Sequence, residues 1–525
     1  MAKHVELLPS DVIAQILSHL DTRTLLRCRS VSRQFRMMVD ETAEQQYKIE
    51  LTVAGMEDGP ISMLGSSDRL KLLREHQKAW ETLDYKRQDV VPMLAGEVWE
   101  LYGGVLAQAQ GGRTLCFCQL PSVLRGIEEK RWTLKDLGFV IRDFGMDLSQ
   151  DLLVAIQRSS RRSNLIHIHL HALSTGAAHP SAPSPAILTH RPEGNDPSYT
   201  ISVSGEYLGI LFDCDHDRHN ELVIWNWKSG ARELWYCSRR LHSFIFLSER
   251  HVLLGLVQSA LDNDFEMEHD SNMRELELAV VDFINASSDK VEVSDEAFTC
   301  SFHYPQLADW SLPLSVDIRA DPAPSWTPHP DLRVPFFTSR GDRLLVITFW
   351  VAEGGARRTL LLFTLSSTIL SRVESMQGKT GHHIAWEDWG PTKTRIISAP
   401  HPHSSVWVCY VFGTKFVSMW RNSKDVGLRV FEFNILPHKQ RLAQQTDPSD
   451  VEAEEPRFIS DPSISAEQHI FRDEVTTSLS YRVQSVTLPP VEGEKGIEAV
   501  MVSEDSLITL GKADARGRTY RILTF

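Results

Sequence analysis

The residue types best suited to chemistry are clusters of histidine, cysteine and acidic side chains. Cys214–His219 places metal-ligand types side by side, but these are consecutive residues with no second set at a suitable spacing. A hydrated hairpin loop is the favoured interpretation. His167, His169 and His171 alternate and share one face of a predicted strand, either as a solvent-facing surface or as zinc ligands. His382–His383 has no evident acid or cysteine partner, and we predict no metal and no cofactor.

A second cluster, Trp386-Glu387-Asp388-Trp389, lies in a predicted loop bounded by Gly and Pro. Two aromatic residues flanking two acids are suited to binding a basic peptide, which makes these four residues the candidate substrate-binding site. The alternative is that the tryptophans pack inside the fold, and the sequence does not decide between them.

Sequence motifs for catalysis are missing. No GxGxxG, P-loop, GxSxG, HExxH or paired-carboxylate pattern occurs in a convincing context. We therefore expect a protein that is not an enzyme.

The bulk composition also limits the function. The 525 residues are 42% hydrophobic and 24% charged, without an 18-residue apolar run or a signal-peptide core, so we expect no membrane segment and a cytoplasmic or nuclear location. A net charge of −14 argues against nucleic-acid binding. Residues 447–455 form an acidic patch, whereas five arginines between Arg23 and Arg36 favour an acidic partner for the N-terminus.

The first forty residues carry apolar residues at helical spacing. Pro9 suits a first helical turn, Asp21 or Thr22 is suited to capping a second helix, and Ser32 is suited to capping a third. Each predicted helix is too short to persist alone, and their joint core is marginal. The segment therefore needs a partner, either another protein or the rest of this chain.

This segment resembles the F-box. The matching residues are Leu8-Pro9, Val12-Ile13, Ile16-Leu17, Leu20, Leu25-Leu26 and Val31-Ser32-Arg33, while Phe35 stands where many family members have Trp. The resemblance implies binding to a Skp-type adaptor and, through it, to a cullin. It assigns that contact to Leu8, Pro9, Val12, Ile13, Ile16, Leu17, Leu20, Leu25, Leu26, Val31 and Phe35.

Beyond residue 95 the pattern changes to short β-rich runs between Gly, Pro, Asn, Asp and Ser clusters. Alternating strands recur, as in Leu165–Leu173, Leu222–Trp227 and Leu360–Leu365. About seven units indicate a WD-like β-propeller, with long loop insertions at 177–197, 289–333 and 437–475. A strand near Val98–Leu101 is predicted to complete the last blade. A β-sandwich or two separate β domains are the alternatives.

The predicted architecture is α+β and multidomain: a three-helix F-box at 1–45, a stiff helical connector at 46–90, and an all-β propeller at 91–525. It is similar to long fungal F-box proteins, which implies a substrate-recognition adaptor of an SCF-type ubiquitin ligase with an unidentified protein substrate. The alternatives are a scaffold outside the ligase, which binds the adaptor without the cullin, and a hydrolase with acids or histidines converging on the propeller channel.

Overall fold

The computed structural model describes residues 9–60, 64–94, 96, 98–158, 164–214, 219–258, 275–294, 297–376, 380–398, 409–422, 425–444, 457–489, 496–512 and 517–525. Within these ranges, N-terminal helices are followed by a ring of seven β-sheets, which confirms the predicted order. None of the helices there combines the length and the apolar composition that a bilayer-spanning segment needs.

Three short helices open the chain: α1 (Ser10–Ser18), α2 (Thr22–Arg29) and α3 (Arg33–Glu41). Two of them begin at the predicted caps. An Asp21 carboxylate oxygen accepts a hydrogen bond from the Thr24 amide at 2.9 Å, and the Ser32 hydroxyl accepts one from the Phe35 amide at 3.2 Å. The helices share a small core formed by Ile13, Leu17, Leu25, Val39 and, from the next helix, Ile49.

The connector consists of several elements. Helix α4 (Ala43–Ala54) ends at Gly55, whose φ of +66° is the left-handed conformation that commonly terminates helices. Strand β1 (Met56–Asp58) and helix α5 (Ser66–Thr82) follow.

Seven antiparallel blades form the ring, and within each blade neighbouring strands are hydrogen-bonded in the order named. The first three blades are β3 (Trp99–Tyr102), β4 (Val105–Gln110), β5 (Thr114–Gln119) and β6 (Lys130–Leu134); β7 (Ile141–Asp147), β8 (Leu152–Gln157), β9 (Ile166–Ala172) and β10 (Ile187–His190); and β11 (Ser198–Ser204), β12 (Tyr207–Asp213), β13 (Asn220–Asn226) and β14 (Arg232–Ser238). The fourth and fifth are β15 (Leu241–Phe246), β16 (His251–Gln258), β17 (Glu275–Asp282) and β19 (Cys300–His303); and β20 (Ser311–Arg319), β22 (Leu344–Glu353), β23 (Ala356–Leu365) and β25 (Thr394–Ser398). The last two are β26 (Val411–Phe412), β27 (Lys415–Arg421), β28 (Val426–Glu432), β32 (Tyr481–Thr487) and β29 (Arg457–Ile459); and β33 (Ile497–Val502), β34 (Ser506–Gly511), β35 (Thr519–Thr524) and β2 (Arg87–Pro92).

The remaining elements lie between the blade strands. Two strands add in parallel to the outer edge of the preceding blade: β18 (Lys290–Glu292) pairs with β14, and β24 (His382–Ile384) pairs with β19. Strand β21 (Phe336–Thr338) pairs with β1, and β30 (Ser463–Ile464) pairs with β31 (Thr476–Thr477). The later helices are α6 (Ser366–Ser375), α7 (Trp386–Lys393) and α8 (Leu436–Gln444), and three-residue 3₁₀ turns lie at Leu148–Gln150, Pro330–Leu332 and Gln468–Ile470.

The apolar core lies between neighbouring blades. Phe117 of blade 1 and Phe144 of blade 2 belong to one buried cluster, and Leu106 of blade 1 and Met501 of blade 7 belong to another. No single sheet buries both faces alone, so each blade depends on its two neighbours. The ring must therefore close to be stable.

The ring is closed by β2, which precedes blade 1 along the chain, and β35 of blade 7. Strand β2 pairs antiparallel with β35 from Arg87 opposite Thr524 to Pro92 opposite Thr519. The closing strand is thus residues 87–92, and the prediction of a strand near 98–101 as the closing strand is wrong: Trp99–Tyr102 is instead the inner strand of blade 1. The predicted boundary between residues 90 and 91 divides a strand that belongs to the ring.

The three predicted loop insertions contain regular structure. Residues 177–197 include β10, residues 289–333 include β18, β19 and β20, and residues 437–475 include most of α8 together with β29. Pro and Ser concealed these elements, because proline disfavours strands. In β20, the register shifts between Pro313 and Ser315, and this bulge accommodates the proline.

Ring closure predicts a strong effect of Leu523→Ala in β35. Leu523 is fully buried, so the truncation is expected to cost about 2–5 kcal/mol and to lower the melting temperature of the whole β region. Val90→Ala, in the paired strand β2 but 46% exposed, is the matched control and should change stability by less than about 0.5 kcal/mol. Differential scanning calorimetry measures both; an unchanged melting temperature for Leu523→Ala would contradict closure through this strand.

Candidate functional site

The N-terminal helices expose apolar side chains that no other described residue of the chain covers. Val12 and Ile16 of α1 are 40% and 48% exposed, Leu26 of α2 is 45% exposed, and Val31 in the following turn is 68% exposed. Val12 and Ile16 are four residues apart and therefore lie on one face of α1. Met37 of α3 is 56% exposed as well. These five residues form the apolar set, and they are the features of the helices best suited to docking a protein.

Exposed arginines accompany the apolar set. Arg23, Arg27, Arg33 and Arg36 are exposed, whereas Arg29 is paired with Asp40 at 2.6 Å. Their positive charge favours an acidic partner surface and would raise the rate of association.

Helix α4 ties these helices to the ring. Ile49 packs into the N-terminal core, while the Tyr47 hydroxyl lies 2.8 Å from the Pro335 carbonyl oxygen. The Asn434 side-chain amide donates to the Val53 carbonyl at 2.8 Å, and the Ser339 amide donates to the Gly55 carbonyl at 2.9 Å. One helix thus contacts both parts of the chain and fixes their relative position.

Helix α5 packs on the same side of the ring. The Trp80 ring stacks on Phe525 at 4.1 Å between centroids, and its indole N–H donates to the Glu504 carbonyl at 3.2 Å. His76 lies 3.3 Å from a carboxylate oxygen of Asp505. The predicted stiff connector is therefore a docked one, held by ring contacts along its length.

A buried charge cluster lies beneath α5. Arg125 lies 2.7 Å from a carboxylate oxygen of Glu504 and 2.9 Å from one of Asp505. Burial opposes ionisation of Asp505, but Arg125 and His76 hold its pKa at about 2. Burial raises the pKa of Glu504, although Arg125 opposes that rise. Removing Arg125 would leave two buried acids without this cation, which makes the cluster a structural requirement.

The central channel has a floor. The segment Asp321–Trp326 follows inner strand β20 and reaches three other blades. The Gly413 amide beside blade 6 donates to the Asp321 carbonyl at 2.7 Å, and the Ala323 amide donates to the Tyr102 hydroxyl of blade 1 at 3.3 Å. Ser325 and Ser204 of blade 3 are hydrogen-bonded through their hydroxyls at 3.0 Å.

Above this floor lies a polar well. A cavity of about 130 Å³ is lined by Glu100, Thr200, Arg319, Asp321 and neighbouring residues of the inner strands. It shares Glu100, Thr200 and Arg319 with a wider cavity of about 620 Å³, whose wall also includes Asp143. The wider cavity is bordered by the first residues of β3 and β11 and by Arg142 and Asp143 near the start of β7, so it forms the mouth of the well.

The mouth and the connector lie on opposite faces of the ring. Inner strands of a propeller run in one direction, so their first residues share one face and their last residues share the other. The mouth is at the first residues. The connector contacts Pro335 and Glu504, which follow the ends of inner strands β20 and β33.

Three acids that line the well or its mouth have raised pKa values. Burial, reinforced by repulsion from Asp321, raises the pKa of Glu100 to about 7. Burial raises the pKa of Asp143 and of Asp321 to about 6, and Arg319 and Arg343 partly offset the rise at Asp321. A carboxyl group that is protonated near neutral pH can donate a hydrogen bond or a proton. The same group can bind a basic side chain when it is ionised.

The comparisons with known proteins bear on the N-terminal helices. Residues 5–43 match the family model described as F-box-like. The chain carries an F-box-like domain. A seven-bladed β-propeller follows this domain, as the strand pairing shows.

Curated proteins give no significant sequence match. Among solved structures, Drosophila Semaphorin 1b, extracellular domains 1–2, is 9% identical, with 84% of this chain and 88% of that chain covered and a TM-score of 0.37. The WD40 domain of SCAP from fission yeast is 8% identical, with coverages of 80% and 82% and a TM-score of 0.35. Kluyveromyces lactis Hsv2 is 9% identical, with coverages of 83% and 98% and a TM-score of 0.34. These likenesses are too low to support a conclusion about this chain.

The F-box-like domain divides the eleven predicted adaptor-binding residues into two groups. Ile13, Leu17 and Leu25 are buried in its own core, and Leu20 and Phe35 pack against that core. Pro9, Val12, Ile16, Leu26 and Val31 are exposed. Leu8 lies outside the described residues. Met37 was missed, because it matches no motif position and only its exposure identifies it.

The candidate substrate-binding cluster is placed differently from the sequence prediction. Trp386–Trp389 is the first turn of helix α7, so the predicted loop is wrong. Trp386 and Trp389 are buried, and the Trp389 indole N–H donates to the His303 carbonyl at 3.0 Å. Glu387 and Asp388 are exposed. The indoles thus pack inside the fold, as the alternative interpretation held, and are not available to a peptide.

The other clusters have separate outcomes. Residues 215–218 of the Cys214–His219 cluster and the whole acidic patch at 447–455 lie outside the described residues. His169 and His171 stack along β9 beside Phe139, and burial lowers the pKa of His169 to about 4. Sequence reasoning missed Glu100, Asp143 and Asp321, because these acids are isolated in the sequence and converge only when the inner strands assemble.

The abnormal pKa of Glu100 predicts a pH-dependent effect of Glu100→Gln. A raised pKa means that the folded state holds a proton that the unfolded state loses, so wild-type stability falls as pH rises from about 4.5 to about 7. Glutamine removes this loss. We expect nearly equal stability at pH 4.5 and a gain of about 3 kcal/mol at pH 8, measured by thermal melting. Glu249→Gln, at an exposed loop position, is the control; a Glu100→Gln effect that is independent of pH would contradict the assignment.

Proposed function

We propose that this protein is the substrate-recognition subunit of an SCF-type ubiquitin ligase. In this proposal the F-box-like domain binds a Skp-type adaptor and, through it, a cullin. The propeller binds a protein substrate, and the chain performs no chemistry itself. Its effect is proximity, because it holds a target lysine near a ubiquitin-loaded enzyme carried elsewhere in the complex.

The observation that carries the proposal is the exposed apolar set on the matched domain. Val12, Ile16 and Leu26 are exposed although the same helices bury Ile13, Leu17 and Leu25 in a core. Val12 and Ile16 share one face of α1, and adjoining apolar side chains left in water mark protein interaction surfaces. An adaptor that covers them would dock against helices, as in helix-in-groove recognition.

The docked connector supports a bridging role. Tyr47, Asn434 and Trp80 hold α4 and α5 against one face of the ring, so the adaptor side keeps a fixed orientation. The well opens on the opposite face. We infer that a substrate held at the mouth would be presented away from the adaptor-binding helices at a nearly constant distance.

The proposal is tested by affinity purification of full-length Ile16→Glu/Leu26→Glu. Both side chains are exposed, so the variant should remain folded and lose the adaptor and the cullin together. Val123→Glu, at a propeller position that is 67% exposed, is the matched control and should retain both. Circular dichroism verifies the fold of each variant.

The outcomes of this purification distinguish the ligase from the scaffold alternative and test the assigned docking surface. Adaptor and cullin recovered by the wild type, and lost only with the double variant, support the ligase. Adaptor recovered without cullin overturns the ligase in favour of the scaffold alternative. Equal recovery of both by the double variant overturns the assigned docking surface.

A hydrolase is the second candidate, because Glu100, Asp143 and Asp321 converge on the channel. A carboxyl with a pKa near 7 is suited to general acid catalysis. A panel of chromogenic glycosides and esters tests it with the wild type and Glu100→Gln. We expect no turnover above background for either protein; turnover that Glu100→Gln abolishes would overturn the non-catalytic role.

A further inference from the structure

Blade 4 gathers three side chains with metal-ligating atoms on three strands. Glu277 lies on β17, His303 on β19 and His383 on β24. One ligand atom from each falls within 4.8 Å of the other two. The sequence draws attention to His382–His383 but offers no partner, because the partners come from distant parts of the chain.

The strand register brings these residues together. Glu277 is directly opposite His303 in the antiparallel pair β17–β19, and His383 is opposite Ser301 in the parallel pair β19–β24. Ser301 and His303 are two residues apart and therefore project from the same face of the sheet. Long side chains on directly opposed and diagonal positions of one face can meet. The arrangement thus follows from the backbone.

The distances suit a small divalent cation. His303 Nε2 lies 3.1 Å from His383 Nδ1 and 3.9 Å from Glu277 Oε1. Ligand atoms bound to zinc at about 2.0–2.1 Å are about 3.3 Å apart in a tetrahedron, so a small closure of these side chains would complete the site. Two imidazole nitrogens and one carboxylate oxygen form a donor set that zinc accepts.

The surroundings are compatible with a bound cation. Glu277 is buried, and Arg240 pairs with Oε2 at 2.8 Å, so Oε1 is the oxygen that lies toward His303. His303 is half-buried and also borders a cavity of about 200 Å³. His383 is exposed, so a metal ion can reach the site from solvent.

We propose that Glu277, His303 and His383 form a zinc-binding site that fastens β24 to the edge of blade 4. Strand β24 belongs to the chain between β23 and β25 of blade 5, and it pairs with β19 over only three residues. A metal ion held by β17, β19 and β24 would lock this short strand in place and join two neighbouring blades. The inference is independent of the ligase proposal.

The metal-free explanation is a chain of hydrogen bonds. His383 Nδ1 lies 2.9 Å from the Ser301 hydroxyl as well as 3.1 Å from His303 Nε2. A neutral imidazole can bridge such partners without a metal. The two explanations differ in whether zinc binds at these histidines.

Isothermal titration calorimetry with Zn²⁺ on the full-length protein, purified without a polyhistidine tag and stripped with a chelator, is the test. We expect one equivalent to bind the wild type, with an affinity at least tenfold weaker in His303→Ala and in His383→Ala. His382→Ala is the matched control, since it removes a neighbouring histidine outside the cluster, and it should bind as the wild type does.

Two further measurements separate binding from folding. Zn²⁺ should raise the melting temperature of the wild type and of His382→Ala, but not of His303→Ala/His383→Ala, whose circular dichroism should match that of the wild type without metal. Co²⁺ should give the intense visible bands of a tetrahedral site in the wild type and in His382→Ala, but not in the double variant. Equal Zn²⁺ binding by the wild type and the double variant, or no binding by either, would overturn the proposal.

Discussion

The structure depends on one strand pairing, between Arg87–Pro92 and Thr519–Thr524. It closes the ring, so that blades 1 and 7 can bury their facing side chains against each other. The closing strand also follows helix α5 after only four residues. The backbone pairing that completes the propeller therefore anchors the connector, and Phe525, directly after β35, stacks on Trp80 of that connector. The pairing that closes the ring therefore also fixes the position of the connector that carries the F-box-like domain.

The sequence predicted the individual helices and blades better than the pairing between strands that are far apart along the chain. The three N-terminal helices followed from Asp21, Ser32 and the helical spacing of apolar residues, since capping and amphipathic packing are local. The seven blades followed from recurring alternating strands. Sequence reasoning missed the closing strand β2, strand β24 and the strands inside 289–333, which include β18. Strands whose pairing partners are far apart in sequence leave no local pattern.

The residues of the candidate functional site were also predicted only in part. Val12, Ile16 and Leu26 were named from the motif, but the motif alone does not distinguish them from Ile13 and Leu25, which the domain buries. The acids of the well, Glu100 and Asp143, belong to different inner strands, and nothing in either strand marks them before the ring brings them together. The buried tryptophans of α7 show the opposite error, since residue types suited to binding a peptide are equally suited to filling a core.

The separation of β2 from β35 along the chain has a consequence during synthesis. Strand β2 leaves the ribosome before any blade, whereas its partner β35 follows only after all the other blade strands have been made. At about 5–20 residues per second, the interval is roughly 20–90 s. Helices α1 to α3 are complete throughout that time, while the edge of β2 is open to intermolecular pairing. A partner that binds the nascent F-box-like domain would therefore meet it before the propeller exists, and would be in a position to shield the open edge of β2 until β35 arrives.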